Sequence, residues 1–333
     1  MNCEYEDKIF QANAGNFEAI AMLVFRFQAA NNEVYRDYLS ALKVDPFSIS
    51  RLSEIPFLPI SFFKTQKIVT GQFEPEVIFE SSGTTGSVSS KHFVKKTGLY
   101  RRSFMEAFKL FYDLPEKWCV IGLLPSYLER SSSSLVMMVD ELIKSSKHPL
   151  GGFYLYEHQK LRDNLVKLQQ AGQRTLLIGV SFALLDFGEQ FGMPLNNAVV
   201  METGGMKGRR AEITRPHLHQ TLEKYFNLTD IHSEYGMTEL LSQAYSLSNG
   251  LFSCPPWMRV MVRDEDDPLS VNHNGKGILN IIDLANLYSC SFIATDDIGV
   301  VHNDLRFEVQ GRMDNSDVRG CSLMVSDVGS YEL

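Results

Sequence analysis

The residues with the clearest chemical potential form a loop of small, hydroxyl-bearing side chains at residues 80–87. Gly83 and Gly86 permit backbone conformations that other residues avoid, so the main chain can approach a ligand closely. Successive backbone N–H groups in such a turn can bind an anion. Uncharged hydroxyl donors are added by Ser81, Ser82, Thr84 and Thr85. The loop predicts a site for a nucleotide triphosphate, although a flexible serine-rich linker would have a similar composition.

Neither common phosphate-binding pattern is present at this loop. Gly86 is followed by four uncharged residues before Lys91, so the Walker pattern is absent, as is the dinucleotide glycine pattern. An apolar run at residues 77–79 predicts a short buried strand that ends at the loop, where α/β proteins usually bind ligands. Lys91 is either a phosphate ligand or a solvated surface lysine. His92 either orients a substrate carboxylate or is a hydrogen-bonded structural histidine.

A second chemically rich segment, His-Ser-Glu-Tyr-Gly-Met-Thr-Glu, occupies residues 232–239. Tyr235 can stack on a nucleobase, and Gly236 permits a tight turn. Thr238 can donate to a phosphate, and the Glu239 carboxylate is a suitable Mg²⁺ ligand. The preceding residues predict the end of a strand. Taken alone, the segment is equally compatible with a buried tyrosine and a capped helix start at Thr238.

Apolar runs alternate with amphipathic segments between the two motifs, which predicts a mostly parallel sheet flanked by helices. Helices are predicted at residues 100–112, 134–145, 159–170, 182–191 and 209–225, the last broken by Pro216, and strands at residues 118–124, 152–156, 175–180 and 197–202. After about residue 250, short strands between turn residues predict a small antiparallel sheet or barrel. Residues 131–134 lack glycine and predict a helix N-cap rather than a second phosphate loop.

The composition is that of a globular protein, with 44% hydrophobic and 22% charged residues among 333. A formal net charge of −8 argues against non-specific nucleic-acid binding, which needs a basic face. The acidic N-terminus is unlike a secretory signal, and no apolar run is long enough to span a bilayer. Five scattered cysteines without metal-ligand spacing favour a reduced, cytoplasmic compartment. They are Cys3, Cys119, Cys254, Cys290 and Cys321.

The loop at residues 81–86 followed by the turn at residues 235–239 resembles the motif order of the adenylate-forming superfamily of acyl ligases, luciferases and adenylation domains. Residues 294–299, Ala-Thr-Asp-Asp-Ile-Gly, resemble its Thr-Gly-Asp segment, and residues 311–314, Gly-Arg-Met-Asp, resemble its Gly-Arg-x-Asp hinge. Four motifs in this order are specific, whereas any single one is weak.

This resemblance implies ATP and Mg²⁺ as cofactors, with Asp297 and Arg312 on the ribose and Gly204 and Gly205 beside the adenine. The implied nucleotide-binding set is Ser81, Ser82, Gly83, Thr84, Thr85, Gly86, Gly204, Gly205, Tyr235, Gly236, Asp297 and Arg312. The candidate catalytic set is Lys91, His92, Thr238, Glu239 and Cys321, with Glu239 as the metal ligand.

Within the superfamily, residues 56–64, 124–130 and 319–321 resemble the acyl-protein synthetase branch. The implied fold is an α/β adenylate-forming large domain with a truncated C-terminal lid. We expect an adenylation core at residues 1–311, in which sheet and helix layers reach about residue 250 and a small β subdomain follows. A hinge and stub would occupy residues 312–333. Because typical members carry a lid lysine beyond the hinge, that lysine is either dispensable here or replaced.

The branch implies ATP-dependent activation of a carboxylic acid, expected to be a fatty acid, and transfer of the acyl group to a thiol. Cys321 is the expected acceptor, although a small buried hydrophobe is the ordinary role of a free cysteine. One alternative is a coenzyme A or carrier-protein ligase of the phenylacetate–CoA ligase type. Another is a non-enzymatic nucleotide-binding subunit of a reductase complex. An acyl reductase, acyltransferase or carrier protein is the expected partner, and neither nucleic acid nor a membrane is expected.

Overall fold

The computed structural model describes residues 2–81, 88–124, 132–204, 210 and 213–313. These residues form one large mixed sheet with helices packed on it, and a separate two-stranded hairpin. None of the helices in these ranges is long and apolar enough to cross a membrane.

The helices and strands follow one another along the chain in a mostly alternating order. The α-helices are α1 (Asn2–Phe10), α2 (Phe17–Asn31), α3 (Glu33–Ala41), α4 (Phe62–Thr65), α5 (Thr97–Tyr112), α6 (Ser134–Ser146), α7 (His158–Gln170), α8 (Ser181–Phe191) and α9 (Arg215–Phe226). The strands are β1 (Leu58–Pro59), β2 (Val77–Glu80), β3 (Lys91–Val94), β4 (Cys119–Leu123), β5 (Gly152–Phe153), β6 (Thr175–Val180), β7 (Ala198–Thr203), β8 (His232–Tyr235), β9 (Ala244–Ser246), β10 (Leu251–Ser253), β11 (Met258–Arg263), β12 (Val271–Asn272), β13 (Gly275–Asp283), β14 (Phe292–Val301) and β15 (Phe307–Arg312).

The parallel half of the sheet has the strand order β5–β4–β6–β7–β8. Strands β4 and β6 are fully buried and consist mainly of apolar residues. Such continuous apolar runs are typical of parallel strands that helices cover on both faces. The predicted alternation of parallel strands and helices is confirmed.

The antiparallel half continues the same sheet through the pairing of β8 with β9, and the order beyond is β10–β15–β14–β13–β11–β12. The strands after residue 250 therefore pair antiparallel with one another, as predicted, but they hydrogen-bond into the parallel half, and β14 also pairs in parallel with β1. The separate antiparallel hairpin is formed by β2 and β3. The proposed domain boundary near residue 250 stays a prediction.

The structure corrects two local predictions and confirms a third. Pro216 lies in the first turn of α9 instead of breaking a helix, because its fixed φ and missing N–H suit that position. The tyrosine motif itself forms β8, and Thr238 lies in a turn rather than at a helix start. Ser133 caps α6 by accepting a hydrogen bond from the Val136 N–H, as predicted for residues 131–134.

Helix α5 fastens the separate hairpin to the large sheet through aromatic contacts. Tyr100 packs edge-on against Phe79 of β2, with ring centroids 5.3 Å apart. At the other end of α5, Phe111 and Tyr112 contact Tyr245 of β9 at 5.2 and 5.4 Å. Each fully buried aromatic ring contributes on the order of 1.5–3 kcal/mol. The hairpin is thereby held next to the carboxyl ends of the parallel strands.

Candidate active site

Three residues predicted to bind a nucleotide meet where β8, β14 and β15 come together. The Tyr235 hydroxyl donates to Asp297 Oδ2 at 2.7 Å, and Arg312 Nε donates to Asp297 Oδ1 at 2.9 Å. Asp297 and Arg312 are also direct partners in the β14–β15 register. A carboxylate has about four acceptor positions, so Asp297 retains capacity for ligand hydroxyl groups.

Burial and charge set the electrostatics of this group. The Tyr235 ring packs against Phe252 and Phe307, with centroids 5.8 and 5.4 Å away. Burial, reinforced by the Asp297 charge, raises the pKa of Tyr235 well above its usual value, so its hydroxyl remains a donor. The Asp297 charge also raises the pKa of Arg312 and keeps the guanidinium charged. The group presents one anion, one cation and a neutral donor at a strand end.

The predicted phosphate loop leaves the hairpin formed by β2 and β3. Ser82, Gly83, Thr84, Thr85 and Gly86 lie outside the described residues. At the base of the loop, the Ser90 N–H donates to Ser81 Oγ at 2.8 Å, and the Ser81 N–H donates to the Ser90 carbonyl at 3.0 Å. These bonds close the hairpin directly beside the loop.

Lys91 begins β3 opposite Glu80 of β2. Its Nζ atom lies 3.5 Å from Glu80 Oε1, and about half of each side chain is exposed. An exposed pair of this kind contributes only about 0–1 kcal/mol. Lys91 can therefore turn toward a ligand anion at small cost.

His92, in strand β3 of the hairpin, contacts the turn that follows β8. Its Nδ1 atom is 2.9 Å from the Thr238 carbonyl oxygen, and its ring packs edge-on against Phe63. Burial lowers the pKa of His92 to about 4, so the ring is neutral at physiological pH. A carbonyl can only accept, so Nδ1 carries the hydrogen. This geometry favours a positioning role for His92, while its role toward a substrate carboxylate stays a prediction.

Asp283 and Asn286 hydrogen-bond to the main chain of the turn that contains Thr238 and Glu239 and of the residues just after it. The Asp283 carboxylate accepts from the Leu241 N–H at 2.8 Å. Asn286 Nδ2 donates to the Glu239 carbonyl at 2.8 Å. Burial raises the pKa of Asp283 to about 6.

Asp283 and Asn286 were missed by sequence reasoning. The signal available was a carboxylate that ends a long apolar strand, residues 275–283. Asn286 is itself anchored from a distance, since Gln28 of α2 donates to its carbonyl at 2.9 Å. The turn therefore rests on a rigid, buried network.

Glu239, the candidate metal ligand, is buried. Within the described ranges, no group of three or more His, Cys, Asp or Glu residues could hold a metal ion. Mg²⁺ at a nucleotide site is commonly bound by one or two carboxylates together with substrate phosphates. A single carboxylate oxygen donor such as Glu239 fits that chemistry.

The candidate glycines occupy the ends of β7 and β8. Gly204 follows the last residue of β7 with φ of +40°, a conformation that favours glycine, and no atom lies within 4 Å of where a Cβ would be. Gly205 lies outside the described residues. At Gly236, a Cβ would lie 2.4 Å from Glu234 Oε1. Glycine is therefore favoured at residue 204 by its backbone conformation, and at residue 236 because the Glu234 carboxyl group lies where a side chain would be.

The cysteines of the described part of the chain are poor nucleophiles. Cys119, Cys254 and Cys290 are free thiols, and burial raises the pKa of each to about 12. They are therefore protonated at neutral pH. Cys321 lies outside the described residues, as does the side chain of Cys3.

Similarity to known proteins shows the family to which this chain belongs. The family described as "Acyl-protein synthetase, LuxE" matches residues 155–328, just over half of the chain. The chain belongs to the acyl-protein synthetase family. The match includes β8, β14 and β15, on which Tyr235, Asp297 and Arg312 lie. The predicted family and the prediction of an acyl-activating ligase are confirmed.

Two named relatives cover nearly the whole of this chain. A long-chain-fatty-acid–luciferin-component ligase from Vibrio harveyi is 22% identical over 326 residues, which is 91% of this chain and 85% of that protein. The ligase of the same name from Aliivibrio fischeri is 22% identical over 330 residues, 91% of this chain and 86% of that protein.

Solved structures show the same fold. A 2-hydroxyisobutyryl-CoA ligase in an open conformation, in complex with 2-HIB-AMP and CoA, superposes with a TM-score of 0.68 at 12% identity, over 91% of this chain and 71% of that chain. The same ligase in the postadenylation state gives a TM-score of 0.64 at 11% identity, over 91% and 69%. The predicted adenylate-forming fold is confirmed.

Proposed function

We propose that this acyl-protein synthetase activates a fatty acid with ATP and passes the acyl group to a thiol, with Cys321 as the first acceptor. The observation that carries the proposal is the hydrogen-bonded group of Tyr235, Asp297 and Arg312 at the carboxyl end of β8. It offers a carboxylate for ribose hydroxyls and a cation nearby, within a family of acyl-protein synthetases.

In the first step, a carboxylate oxygen of the acid attacks the α-phosphorus of ATP. A bond forms between that oxygen and the α-phosphorus, and the bond to the bridging oxygen of the β-phosphate breaks. Acyl-AMP and pyrophosphate result, and no proton is required. The protein contributes positioning and charge neutralisation rather than covalent chemistry.

We assign the ends of the triphosphate to the two motifs that His92 connects. Lys91 and the residues 81–86 would bind the pyrophosphate end, and Thr238 would bind the α-phosphate. Mg²⁺ held by Glu239 would neutralise phosphate charge as it develops. Gly204 and Gly205 would lie beside the adenine, next to Tyr235 and Gly236.

In the second step, a thiolate sulfur attacks the acyl carbon of acyl-AMP. The new carbon–sulfur bond is a thioester, the bond from the acyl carbon to the phosphate oxygen breaks, and AMP leaves. The thiol proton is released to solvent before attack. Since burial keeps Cys119, Cys254 and Cys290 protonated, Cys321 is the better candidate for the nucleophile.

The relatives' names support a long-chain fatty acid as the substrate. The proposal includes an acyl reductase, acyltransferase or carrier protein as the final acceptor. A cytoplasmic location is part of the proposal, because the cysteines that the structure describes are free thiols.

The test is pyrophosphate exchange into ATP that depends on a fatty acid and Mg²⁺, followed by labelling with radioactive acid. Label released from denatured protein by hydroxylamine, and absent in Cys321→Ser, supports the protein thioester. Label found only on added coenzyme A supports a CoA ligase instead. Tight ATP binding without any exchange would contradict the proposal and indicate a non-enzymatic nucleotide-binding subunit.

A further inference from the structure

A buried polar cluster lies on the side of β8 away from Tyr235, and the nucleotide site does not use it. We define the Glu234 cluster as Thr203, Glu234, Gln243 and Tyr245, together with Tyr100 of α5. Thr203 and Tyr245 are the register partners of Glu234 on β7 and β9, so the three side chains share one face of the sheet. Every member is more than nine-tenths buried.

Two atoms of the Glu234 cluster lack a hydrogen-bond partner. Within the described part of the chain, neither the Tyr245 hydroxyl nor Gln243 Oε1 finds one. Glu234 Oε2 accepts from the Thr203 hydroxyl at 2.6 Å, while its Oε1 lies over Gly236. Buried polar groups are ordinarily paired, so two unpaired atoms beside a carboxyl group indicate that something absent completes them.

Among the residues that the structure describes, Glu234 forms no ion pair with a cation. Burial, opposed by the hydrogen bond from Thr203 and reinforced by the charge of Glu202, raises the pKa of Glu234 to about 7. Glu202 is itself paired with Arg215, whose Nε lies 3.1 Å from its Oε1. Both protonation states of Glu234 are accessible near neutral pH, so Glu234 can accept a hydrogen bond from a hydroxyl group when neutral and pair with an ammonium group when ionised.

The position of the cluster in the sheet indicates which ligand it would bind. Thr203 and Glu234 lie at the carboxyl ends of adjacent parallel strands, the edge where α/β sheets bind ligands. Glu234 Oε1 lies 2.4 Å from where a Cβ of Gly236 would be, and Gly236 is among the residues assigned above to the nucleotide. A group bound at the Glu234 carboxyl group would therefore lie beside Gly236, as a part of the acid substrate would.

We propose that the Glu234 cluster is a specificity site, and that the acid activated by this chain carries a hydroxyl or amino group that hydrogen-bonds to Gln243 Oε1, the Tyr245 hydroxyl and the Glu234 carboxyl group. This inference rests on the proposed adenylation. It narrows the substrate from a plain fatty acid to one with a hydrogen-bond donor on its chain.

The test compares acids of equal chain length by pyrophosphate exchange: the unsubstituted acid, its monohydroxy analogues and its monoamino analogues. One substituted acid should exceed the unsubstituted acid in kcat/KM by about tenfold, the contribution of one well-made hydrogen bond. Equal rates, or a preference for the unsubstituted acid, overturn the inference while leaving the proposed function intact. No exchange with any acid overturns both.

Tyr245→Phe and Glu234→Gln separate a ligand site from a buried water. Tyr245→Phe removes an atom that bonds to none of the described residues, so the protein should fold. Both variants should lose most of the preference for the substituted acid. Tyr35→Phe is the matched control, because its hydroxyl donates to the Pro56 carbonyl at 2.7 Å, and it should keep the wild-type preference ratio. An unchanged ratio in Tyr245→Phe and Glu234→Gln shows that the atoms bind water only, and overturns the inference.

Discussion

The Nδ1 atom of His92 lies 2.9 Å from the carbonyl oxygen of Thr238, although 146 residues separate the two along the chain. This bond joins β3, which follows the predicted phosphate loop, to the turn that carries Thr238 and Glu239. Because the His92 ring is buried and neutral, the bond does not depend on a titration in the physiological range. The two segments proposed to bind opposite ends of a triphosphate are therefore held at a fixed separation.

Replacing His92 tests this connection. His92→Leu leaves the Thr238 carbonyl without its donor, which we expect to lower the unfolding free energy by about 1–3 kcal/mol and kcat/KM for ATP by about tenfold. His92→Asn can donate from its amide and should recover much of both. Pyrophosphate exchange at varied ATP, with thermal unfolding in parallel, gives the two measurements. Equal losses of kcat/KM for ATP in the two variants would contradict the positioning role of His92.

The link between Asp297 and Arg312 predicts a defect in nucleotide binding. Asp297→Asn removes the anion that both Tyr235 and Arg312 contact, so KM for ATP should rise about tenfold or more, with a loss of about 1–3 kcal/mol in stability. The control is Asp304→Asn. Asp304 forms an exposed pair with Arg306 at 2.7 Å, which contributes about 0–1 kcal/mol. A normal KM for ATP in Asp297→Asn would exclude the ribose role.

Local signals explain how much of this site the sequence could predict. Gly236, Asp297 and Arg312 stand in short motifs whose order is specific: Gly236 follows β8 and Arg312 ends β15, whereas Asp297 lies within β14. The family match and the solved structures confirm the family and the fold that these motifs predict. The strand that carries Tyr235 began later than expected, since residues 227–231 precede β8.

Long-range pairing explains what the sequence could not predict. No local pattern predicts that His92 hydrogen-bonds to the Thr238 carbonyl oxygen, or that Asp283 accepts a hydrogen bond from the Leu241 N–H. The pairing of β8 with β9, which joins the two halves into one sheet and sets Tyr245 opposite Glu234, is a matter of register between distant segments. Hydrophobic pattern selects which face of a strand is buried, but not which strand lies beside it.

Glu234→Gln predicts a change in how stability depends on pH. A carboxyl whose folded pKa is raised from 4.5 to about 7 favours the folded state at low pH, and this stability is lost as pH rises through 7. The variant lacks that loss, so its stability relative to wild type should increase from pH 5 to pH 8, by up to about 3 kcal/mol. Urea unfolding at several pH values measures it.

Three other groups also make the stability of both proteins depend on pH. Asp283 titrates in an overlapping range, with a pKa raised to about 6, and it is present in both proteins, so the difference between them isolates Glu234. His92 and His232, whose pKa values burial lowers to about 4, act below pH 6.5 and also cancel. A difference that does not vary with pH would show that Glu234 is not titrating in this range.

Cys321→Ser tests the second half of the reaction against an internal control. Cys254→Ser removes a thiol whose pKa burial raises to about 12, and such a thiol is almost wholly protonated at neutral pH and a poor nucleophile. We expect Cys254→Ser to keep wild-type levels of hydroxylamine-labile acyl label. Cys321→Ser should lose the label while it retains acid-dependent pyrophosphate exchange, because adenylation precedes thiol attack. Labelled acid followed by denaturing gel electrophoresis measures both. Full labelling of Cys321→Ser would place the acyl group elsewhere, with Cys3 the next residue to replace.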